Sequence, residues 1–454
     1  MQVSPTPPRR EWTILFYLDG NNRDIERDVY TSFLTAEEAA GHPACAMAAE
    51  LGRLPSPNPF PRDPYQPKIP NDADEVWQTT RRYEMLPGDP PGPYARRVYT
   101  SQGQHDGQID SRLVADLGER DMSCPANLAE FLKWGMKTYP AEHVMVVLTN
   151  HGAGFLGTLS DQRAGRHMPL AEVKAALEEA SRETGVKPDV LVMDACLMAQ
   201  AEALTELKDA AGCYVASQDV IYSCYPWQKT LNRAREDWEA GHKVAPEQMV
   251  GYLVAACAEQ ESDFPSVSAV RSDRVDPLVD SLRELADSLL ATRVSEAEVR
   301  RLMAASRGFS SPEVRPFGDY RDLADFARKL EGLADEKVAA AAGKVVASLE
   351  QAVVAETHRG ERSASGLTVY LPPAGFRERE SGFQYPPHTR PEQYESIYRG
   401  LEFARRTGWD RVIERFGGSN VTTQDSGRSL VSGSAEGSAS CDRRSRGWPP
   451  LKDS

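Results

Sequence analysis

Cysteines are few in this chain and long apolar runs are missing, and both features restrict what it can be. Seven cysteines occur in 454 residues, and no two of them have the CxxC spacing typical of redox motifs and zinc sites. No run approaches the roughly 20 apolar residues that a membrane-spanning helix needs. We therefore expect neither a disulfide-stabilised scaffold nor a membrane protein.

Positive charge is also in deficit. Lys and Arg number 53 against 67 Asp and Glu, which gives a net charge of −14. Domains that bind nucleic acid concentrate positive charge, so no nucleic-acid partner is expected. The first residues, MQVSPTPPRREW, contain no apolar segment for export. These features together predict a cytoplasmic location.

What the chain does contain is two short apolar runs that each end in reactive side chains. Residues 144–148 lead through an Asn into His151, and residues 190–193 lead into Asp194 and Cys196. Short apolar runs without polar alternation are typical of strands that are buried on both faces of a parallel sheet. The sequence therefore predicts two buried strands with a histidine after one and a cysteine after the other.

Between these runs, apolar residues recur at helical spacing over 170–180, and Gly185 is a typical helix stop. A right-handed strand–helix–strand crossover brings both strand ends to the same edge of the sheet. A second helical pattern follows Cys196 at once and would place its thiol at a helix N-terminus. The helix dipole and a nearby imidazole would both favour the thiolate form of Cys196, so the pattern predicts a Cys/His acyl-transfer site.

Each of these residues has a simpler interpretation when it is taken alone. Cysteine is often buried as a small hydrophobe, and a histidine beside a glycine is commonly a turn residue. Asp194 could simply cap the following helix. The catalytic interpretation of His151 and Cys196 depends on the topology that brings them together.

The motifs NHG and DACLM, with their separation, resemble the clostripain family of cysteine peptidases in the caspase-like clan. Further segments share the resemblance, which extends over about residues 11–416: WTILFYLDGNN, LGERDMSCPANLAEFLKWGMKTYPAEH, YVASQDVIYSCYPWQKTL, DYRDLADFA and SGLTVYLP. The resemblance implies a caspase-like three-layer α/β sandwich with a mostly parallel central sheet and a largely helical C-terminal subdomain.

The resemblance also implies a role for each matching residue. Cys196 would be the nucleophile, His151 the general base, and Asp194 the acid lining the pocket for an Arg or Lys before the cut, where a carboxylate pairs well with a cation. The backbone N–H groups of Gly152 and Cys196 would stabilise the oxyanion. No cofactor is required, although some relatives use calcium. The acidic cluster Asp72, Asp74 and Glu75 is interpreted as solvated surface.

Two further predictions concern loops. Tyr225 and Trp227 are interpreted as an aromatic wall for the stem of an Arg or Lys, with core packing as the alternative. Related enzymes often cut themselves between the histidine and cysteine strands. Arg163 and Arg166 lie in a small polar segment there, so self-cleavage after one of them is predicted, with an ordinary surface loop as the alternative.

The sequence predicts four regions and one main function. The regions are a flexible tail (1–10), a peptidase core (11–237), a mainly helical subdomain with a strand near 366–371 returning to the sheet (238–416), and a disordered Ser/Gly-rich tail (417–454). A hairpin of 79–86 with 94–100 is also predicted. The predicted function is a cysteine endopeptidase that cleaves after Arg or Lys. The alternatives are a catalytically silent caspase-fold scaffold and a caspase-like peptidase with another specificity.

Overall fold

The structure is a computed structural model that contains protein alone. It describes residues 9–54, 77–88, 98–100, 103–105, 108–221, 224–259, 266–309, 319–357, 364–373, 375 and 393–417. The Asp72, Asp74 and Glu75 cluster and the predicted tail from 418 onward lie outside these residues. So do the first eight residues of the predicted N-terminal tail.

Helices and strands are numbered in chain order. The helices are α1 Glu26–Glu37, α2 Pro125–Thr138, α3 Leu170–Thr184, α4 Ala201–Leu207, α5 Trp227–Glu239, α6 Pro246–Ala258, α7 Val275–Ala291, α8 Glu296–Ala305, α9 Leu323–Glu331, α10 Glu336–Ala352, α11 Tyr394–Gly400, α12 Glu402–Thr407 and α13 Trp409–Phe416. The strands are β1 Arg10–Gly20, β2 Cys45–Arg53, β3 Thr80–Glu84, β4 Val98–Thr100, β5 Gly103–His105, β6 Arg112–Asp116, β7 Ala141–Thr149, β8 Thr158–Asp161, β9 Arg166–Met168, β10 Val190–Asp194, β11 Cys213–Ser217, β12 Val267–Arg271, β13 Tyr320–Asp322, β14 Val353–Glu356 and β15 Thr368–Tyr370.

A nine-stranded sheet organises the described residues, in the order β14-β12-β11-β10-β7-β1-β2-β3-β6. The five central strands, from β11 to β2, run parallel, and antiparallel pairs extend both sides. The predicted α/β fold is therefore confirmed, with a parallel centre, but the sheet as a whole is mixed because four of its eight strand pairs are antiparallel. The strand–helix–strand unit of β7, α3 and β10 is also as predicted, and Gly185 ends α3 in a left-handed conformation at φ 73°.

Side chains of β1 show how helices cover both faces of the sheet. Successive strand residues point to opposite faces, and all residues from 12 to 20 are buried. Leu15 and Tyr17 pack on the face covered by α2, α3, α4 and the later helices. Ile14 and Phe16 pack on the face covered by α1, α5 and α6. A buried sheet between two helical layers is the three-layer sandwich that the sequence predicts.

Three predictions about secondary structure need correction. Strand β3 pairs with β2 and β6 rather than with residues 98–100, which pair with β5. Strand β15 does not return to the main sheet, because it pairs with β13 in a separate two-stranded sheet. Instead, the chain continues from α10 into β14, which pairs with β12 at the edge of the main sheet.

The third correction concerns the nucleophile predicted from the sequence. Helix α4 begins at Ala201, five residues after Cys196, and Leu197 adopts a left-handed conformation at φ 65°. A left-handed residue interrupts helical geometry, so the thiol lies in a turn and not at a helix N-terminus.

No helix within the described ranges is long and apolar enough to cross a membrane.

Candidate active site

The carboxyl ends of β7 and β10 meet at one edge of the sheet. The two strands are parallel neighbours, and Thr149 is in register with Asp194 at their last paired position. The next residue, Asn150, donates its backbone N–H to the carbonyl oxygen of Asp194 at 3.4 Å. The segments that carry His151 and Cys196 therefore leave the sheet side by side, as the crossover predicts.

Gly152 brings these two segments into direct contact. A Cβ atom at this position would lie 2.3 Å from the carbonyl oxygen of Cys196 and 2.7 Å from Cγ of Met198. Real Cβ atoms do not approach a backbone oxygen so closely, so a residue without a side chain is required here. The close contact places the backbone after the histidine against the backbone of the cysteine.

The side chain of Asn150 fixes the backbone of His151. Its Oδ1 accepts hydrogen bonds from the N–H groups of His151 at 2.6 Å and Ser160 at 2.7 Å. Its Nδ2 donates to the carbonyl oxygens of Asp19 at 2.6 Å and Ser160 at 3.4 Å. Because Asn150 is buried, these four bonds satisfy a group that would otherwise be costly to bury. The sequence pattern around Asn150 does not by itself indicate this role.

Cys196 is half-buried and its sulfur accepts a hydrogen bond from the backbone N–H of Ile221 at 3.3 Å. Burial raises the pKa of the thiol to about 11, while the Ile221 N–H opposes this shift. Burial also lowers the pKa of His151 to about 4. At neutral pH both the thiol of Cys196 and the imidazole of His151 are therefore uncharged, which does not favour a preformed thiolate–imidazolium ion pair.

Asp194 lies at the end of β10, two residues before Cys196, and is buried. The hydroxyl groups of Ser32 on α1 and Thr149 on β7 both donate to its Oδ2, each at 3.1 Å. Burial raises the pKa of this carboxyl to about 7, partly offset by the two hydroxyls. Its position on the strand and its hydrogen bonds identify it as a fixed acceptor beside the cysteine.

Helix α1 adds a second carboxylate that the sequence had not singled out. Asp28 precedes Ser32 by four residues, so the two side chains share one face of the helix. Ser32 is buried against Asp194, whereas Asp28 is exposed. The charge of Asp28 contributes to the raised pKa of Asp194, after the burial of Asp194 itself. The helical spacing of Asp28 and Ser32 indicates that they share one face of α1, but the sequence does not show that this face contacts Asp194.

Comparison with protein families identifies the chain. A model of the clostripain family, Peptidase C11, matches residues 101–416. The chain belongs to the clostripain family. It is therefore a cysteine protease, which is a hydrolase. A search of curated proteins found no match.

Solved structures share the fold of this clostripain-family chain. An inactive zymogen C11 protease from Parabacteroides distasonis is 16% identical, with a TM-score of 0.58, and the alignment covers 89% of this chain and 99% of that one. A secreted C11 cysteine protease from Bacteroides thetaiotaomicron, in complex with an irreversible peptide inhibitor, is 14% identical with a TM-score of 0.56, covering 88% and 99%.

The two aromatic residues predicted to line the cleft are core residues in this clostripain-family structure. Tyr225 and Trp227 are fully buried, and their ring centroids lie 6.1 Å apart. Trp227 packs edge-on against Phe16 at 5.1 Å, on the face of the sheet that α1, α5 and α6 cover. The alternative of core packing therefore replaces the predicted aromatic wall.

Arg163 and Arg166 belong to the β8–β9 hairpin. Arg163 lies in its turn, donates to the carbonyl oxygens of Arg53 at 3.2 Å and Gln78 at 2.8 Å, and forms an ion pair with Glu119 at 2.8 Å. Arg166 lies in β9 and pairs with Asp121 at 3.8 Å and, more closely, with Glu172. None of these contacts of Arg163 and Arg166 involves Cys196.

Metal binding is not indicated by the residues that the structure places. Within them, no group of three or more His, Cys, Asp or Glu side chains could hold a metal ion.

Proposed function

We propose that this clostripain-family protease is an endopeptidase that cleaves after Arg, and less efficiently after Lys, through Cys196 and His151. One observation carries the specificity: a buried carboxylate, Asp194, is held by two hydroxyls just two residues before the nucleophile. A carboxylate fixed in this way attracts a cationic side chain and repels an acidic one.

The reaction follows from the neutral pair. His151 accepts the thiol proton as the sulfur of Cys196 attacks the carbonyl carbon of the peptide bond. The N–H groups of Gly152 and Cys196 stabilise the oxyanion that forms. The imidazolium then protonates the leaving amine, and a thioester remains on the sulfur. Water, deprotonated by His151, attacks this thioester and releases the acid product together with the free thiol.

A panel of fluorogenic peptides tests the proposal. The peptides carry Arg, Lys, citrulline, Asp or Ala before the cut, and are compared under reducing conditions with wild type and Cys196→Ala. Cys213→Ala is the matched control, because Cys213 is buried at the first position of β11, whereas Cys196 lies just beyond the last residue of β10. We expect cleavage after Arg and Lys that Cys196→Ala abolishes and Cys213→Ala retains. Equal cleavage after Asp would exclude the proposed specificity, and an inert wild type would favour the scaffold alternative.

Self-cleavage is proposed at Arg163 rather than Arg166. Arg163 lies in a turn, whereas Arg166 is within β9, so a cut after Arg163 requires less unpairing of strands. Mass spectrometry of purified wild type and Cys196→Ala tests this proposal. We expect two fragments from wild type and one intact chain from the variant. Fragments of the same mass from both proteins would mean that another protease makes the cut.

We infer that substrates are peptides or proteins with Arg or Lys at the cleavage site, that no metal or other cofactor is required, and that the location is cytoplasmic. One structural relative is described as secreted, so cell fractionation is the direct test of location.

A further inference from the structure

The loop that follows His151 is held by residues from distant parts of the chain. This histidine loop (residues 152–157) contains a 3₁₀ turn, Gly154–Leu156, and one ladder bond from the N–H of Ala153 to the carbonyl of Gly157 at 3.0 Å. The hydroxyl of Thr158 donates to the carbonyl oxygen of His151 at 2.8 Å. These local bonds close the loop on itself, but they do not orient it relative to the cysteine.

Two buried side chains supply that orientation. The phenol hydroxyl of Tyr320, on β13, donates to the carbonyl oxygen of Ala153 at 2.8 Å. The amide oxygen of Gln200 accepts the N–H of Phe155 at 2.6 Å. Gln200 lies just before α4, four residues after Cys196, so it joins the cysteine segment to the histidine loop.

Gly154 shows how closely these side chains approach the loop. Its φ is +59°, and a Cβ atom there would lie 2.5 Å from Oε1 of Gln200 and 3.0 Å from Cε2 of Tyr320. Both the backbone conformation and the lack of space require glycine at this position. The two side chains therefore hold the two successive peptide units that flank Gly154.

A cluster of aromatic rings anchors the same loop. Phe155 is almost fully buried and packs against four tyrosine rings of the C-terminal part of the chain. Centroid distances are 4.9 Å to Tyr370, 5.2 Å to Tyr398, 6.2 Å to Tyr320 and 6.4 Å to Tyr394. Three of these contacts are edge-on, a favourable geometry for aromatic pairs. The loop beside the nucleophile thus depends on residues more than 160 positions later in the chain.

We propose that Tyr320 and Gln200 are positioning residues that align the N–H of Gly152 with the oxyanion formed at Cys196. This proposal rests on the proposed function, because it assigns Gly152 to the oxyanion. The Ala153 carbonyl that Tyr320 holds is one residue from Gly152, so rotation of that peptide unit would turn the Gly152 segment away from the sulfur. Oxyanion donors act through fixed orientation, and a loose donor loses its advantage in the transition state.

The test compares Tyr320→Phe with Tyr398→Phe. Both variants remove one phenol hydroxyl from the same cluster and keep the ring. Tyr320 bonds the histidine loop, whereas Tyr398 donates to Oε1 of the buried Glu202 at 2.7 Å. The measurements are kcat and KM on an Arg peptide, inhibition by an Arg peptidyl aldehyde, alkylation by iodoacetamide, and Tm.

For Tyr320→Phe we expect kcat to fall about three- to tenfold, the range of one net hydrogen bond, with KM unchanged. The aldehyde, which forms an oxyanion-like adduct with the thiol, should bind more weakly by the same factor. Alkylation of Cys196, which forms no oxyanion, should be unchanged. Tyr398→Phe should lower Tm at least as much and leave kcat unchanged.

Gln200→Met provides an independent variant, with the same pattern expected. The proposal is overturned if Tyr320→Phe and Tyr398→Phe lower kcat equally, or if Tyr320→Phe slows alkylation by as large a factor as it weakens aldehyde binding. Either result would mean that the contacts of Tyr320 and Gln200 are only structural, and the proposed proteolytic function would still stand. A wild-type chain that hydrolyses no peptide would instead overturn the proposed function, and this proposal with it.

Discussion

Replacing Asp194 by Asn isolates the charge that we assign to substrate recognition. Asparagine has nearly the same shape and can still accept hydrogen bonds from Ser32 and Thr149, so the change removes mainly the negative charge. Two unit charges at about 4 Å interact by about 4 kcal/mol at an effective dielectric constant near 20. Since the substrate guanidinium also loses hydration, we expect kcat/KM for an Arg peptide to fall about a hundredfold, roughly 3 kcal/mol.

Citrulline is the control for this prediction, because it has the shape of arginine without the charge. Asp194→Asn should change kcat/KM for a citrulline peptide by less than about threefold, within the range expected of one altered neutral hydrogen bond. The wild-type preference for Arg should also depend on pH. With the pKa of Asp194 near 7, the carboxyl is charged above pH 7, so the Arg/citrulline ratio should rise with pH through that value and be flat in the variant.

The same substitution has a stability consequence of known sign. The pKa of Asp194 in the folded chain is raised above the ordinary value of 3.8, so ionising it opposes folding. This penalty is absent below pH 3.8 and complete above pH 7. Asp194→Asn should therefore raise Tm at pH 8 more than at pH 5. Equal losses for Arg and citrulline peptides, or a Tm that falls at pH 8, would refute the assignment of a buried recognition charge.

Four other predictions follow from the site. The neutral thiol of Cys196, with a pKa near 11, should react with iodoacetamide at a rate that keeps rising above pH 8; a plateau between pH 5 and 8 would indicate an ion pair instead. Asp28→Asn should lower kcat/KM for an Arg peptide about threefold, the effect expected of an exposed charge, and should lower kcat/KM for a Lys peptide less. The distant substitution Asp209→Asn is the control and should change neither value. Arg163→Ala should abolish the fragments seen by mass spectrometry, whereas Arg166→Ala should not. Treatment with EDTA should leave peptide hydrolysis unchanged, and a loss that calcium restores would show a metal requirement.

Patterns that depend on local chemistry were predictable from the sequence. The buried strands β7 and β10, the helix between them and its end at Gly185 all follow from apolar periodicity and glycine conformation. Their shared sheet edge follows from the handedness of the crossover. This reasoning was sufficient to bring the histidine and cysteine segments together.

Features that depend on distant partners were not predictable in the same way. The apolar residues after Cys196 have helical spacing, yet tertiary contacts, including the bond from the N–H of Leu197 to the carbonyl of Asp219 at 3.2 Å, form a turn there instead. Trp227 follows a loop segment, and only packing against Phe16 shows that it is a core residue. Strand β15 has a sheet-like sequence, but its partner, β13, lies almost 50 residues earlier. Each outcome is decided by a non-local contact that periodicity does not encode.

The order of the strands has a consequence for a chain that is cut in the turn between β8 and β9. Every main-sheet strand before the turn lies on one side, from β7 to β6, and every strand after it lies on the other, from β10 to β14. The two fragments would therefore be complementary half-sheets joined along the β7–β10 seam, with His151 on one and Cys196 on the other. A nicked molecule is then a heterodimer in the thermodynamic sense. Its activity at high dilution, or after denaturant is removed, would depend on protein concentration, whereas that of the uncut chain would not.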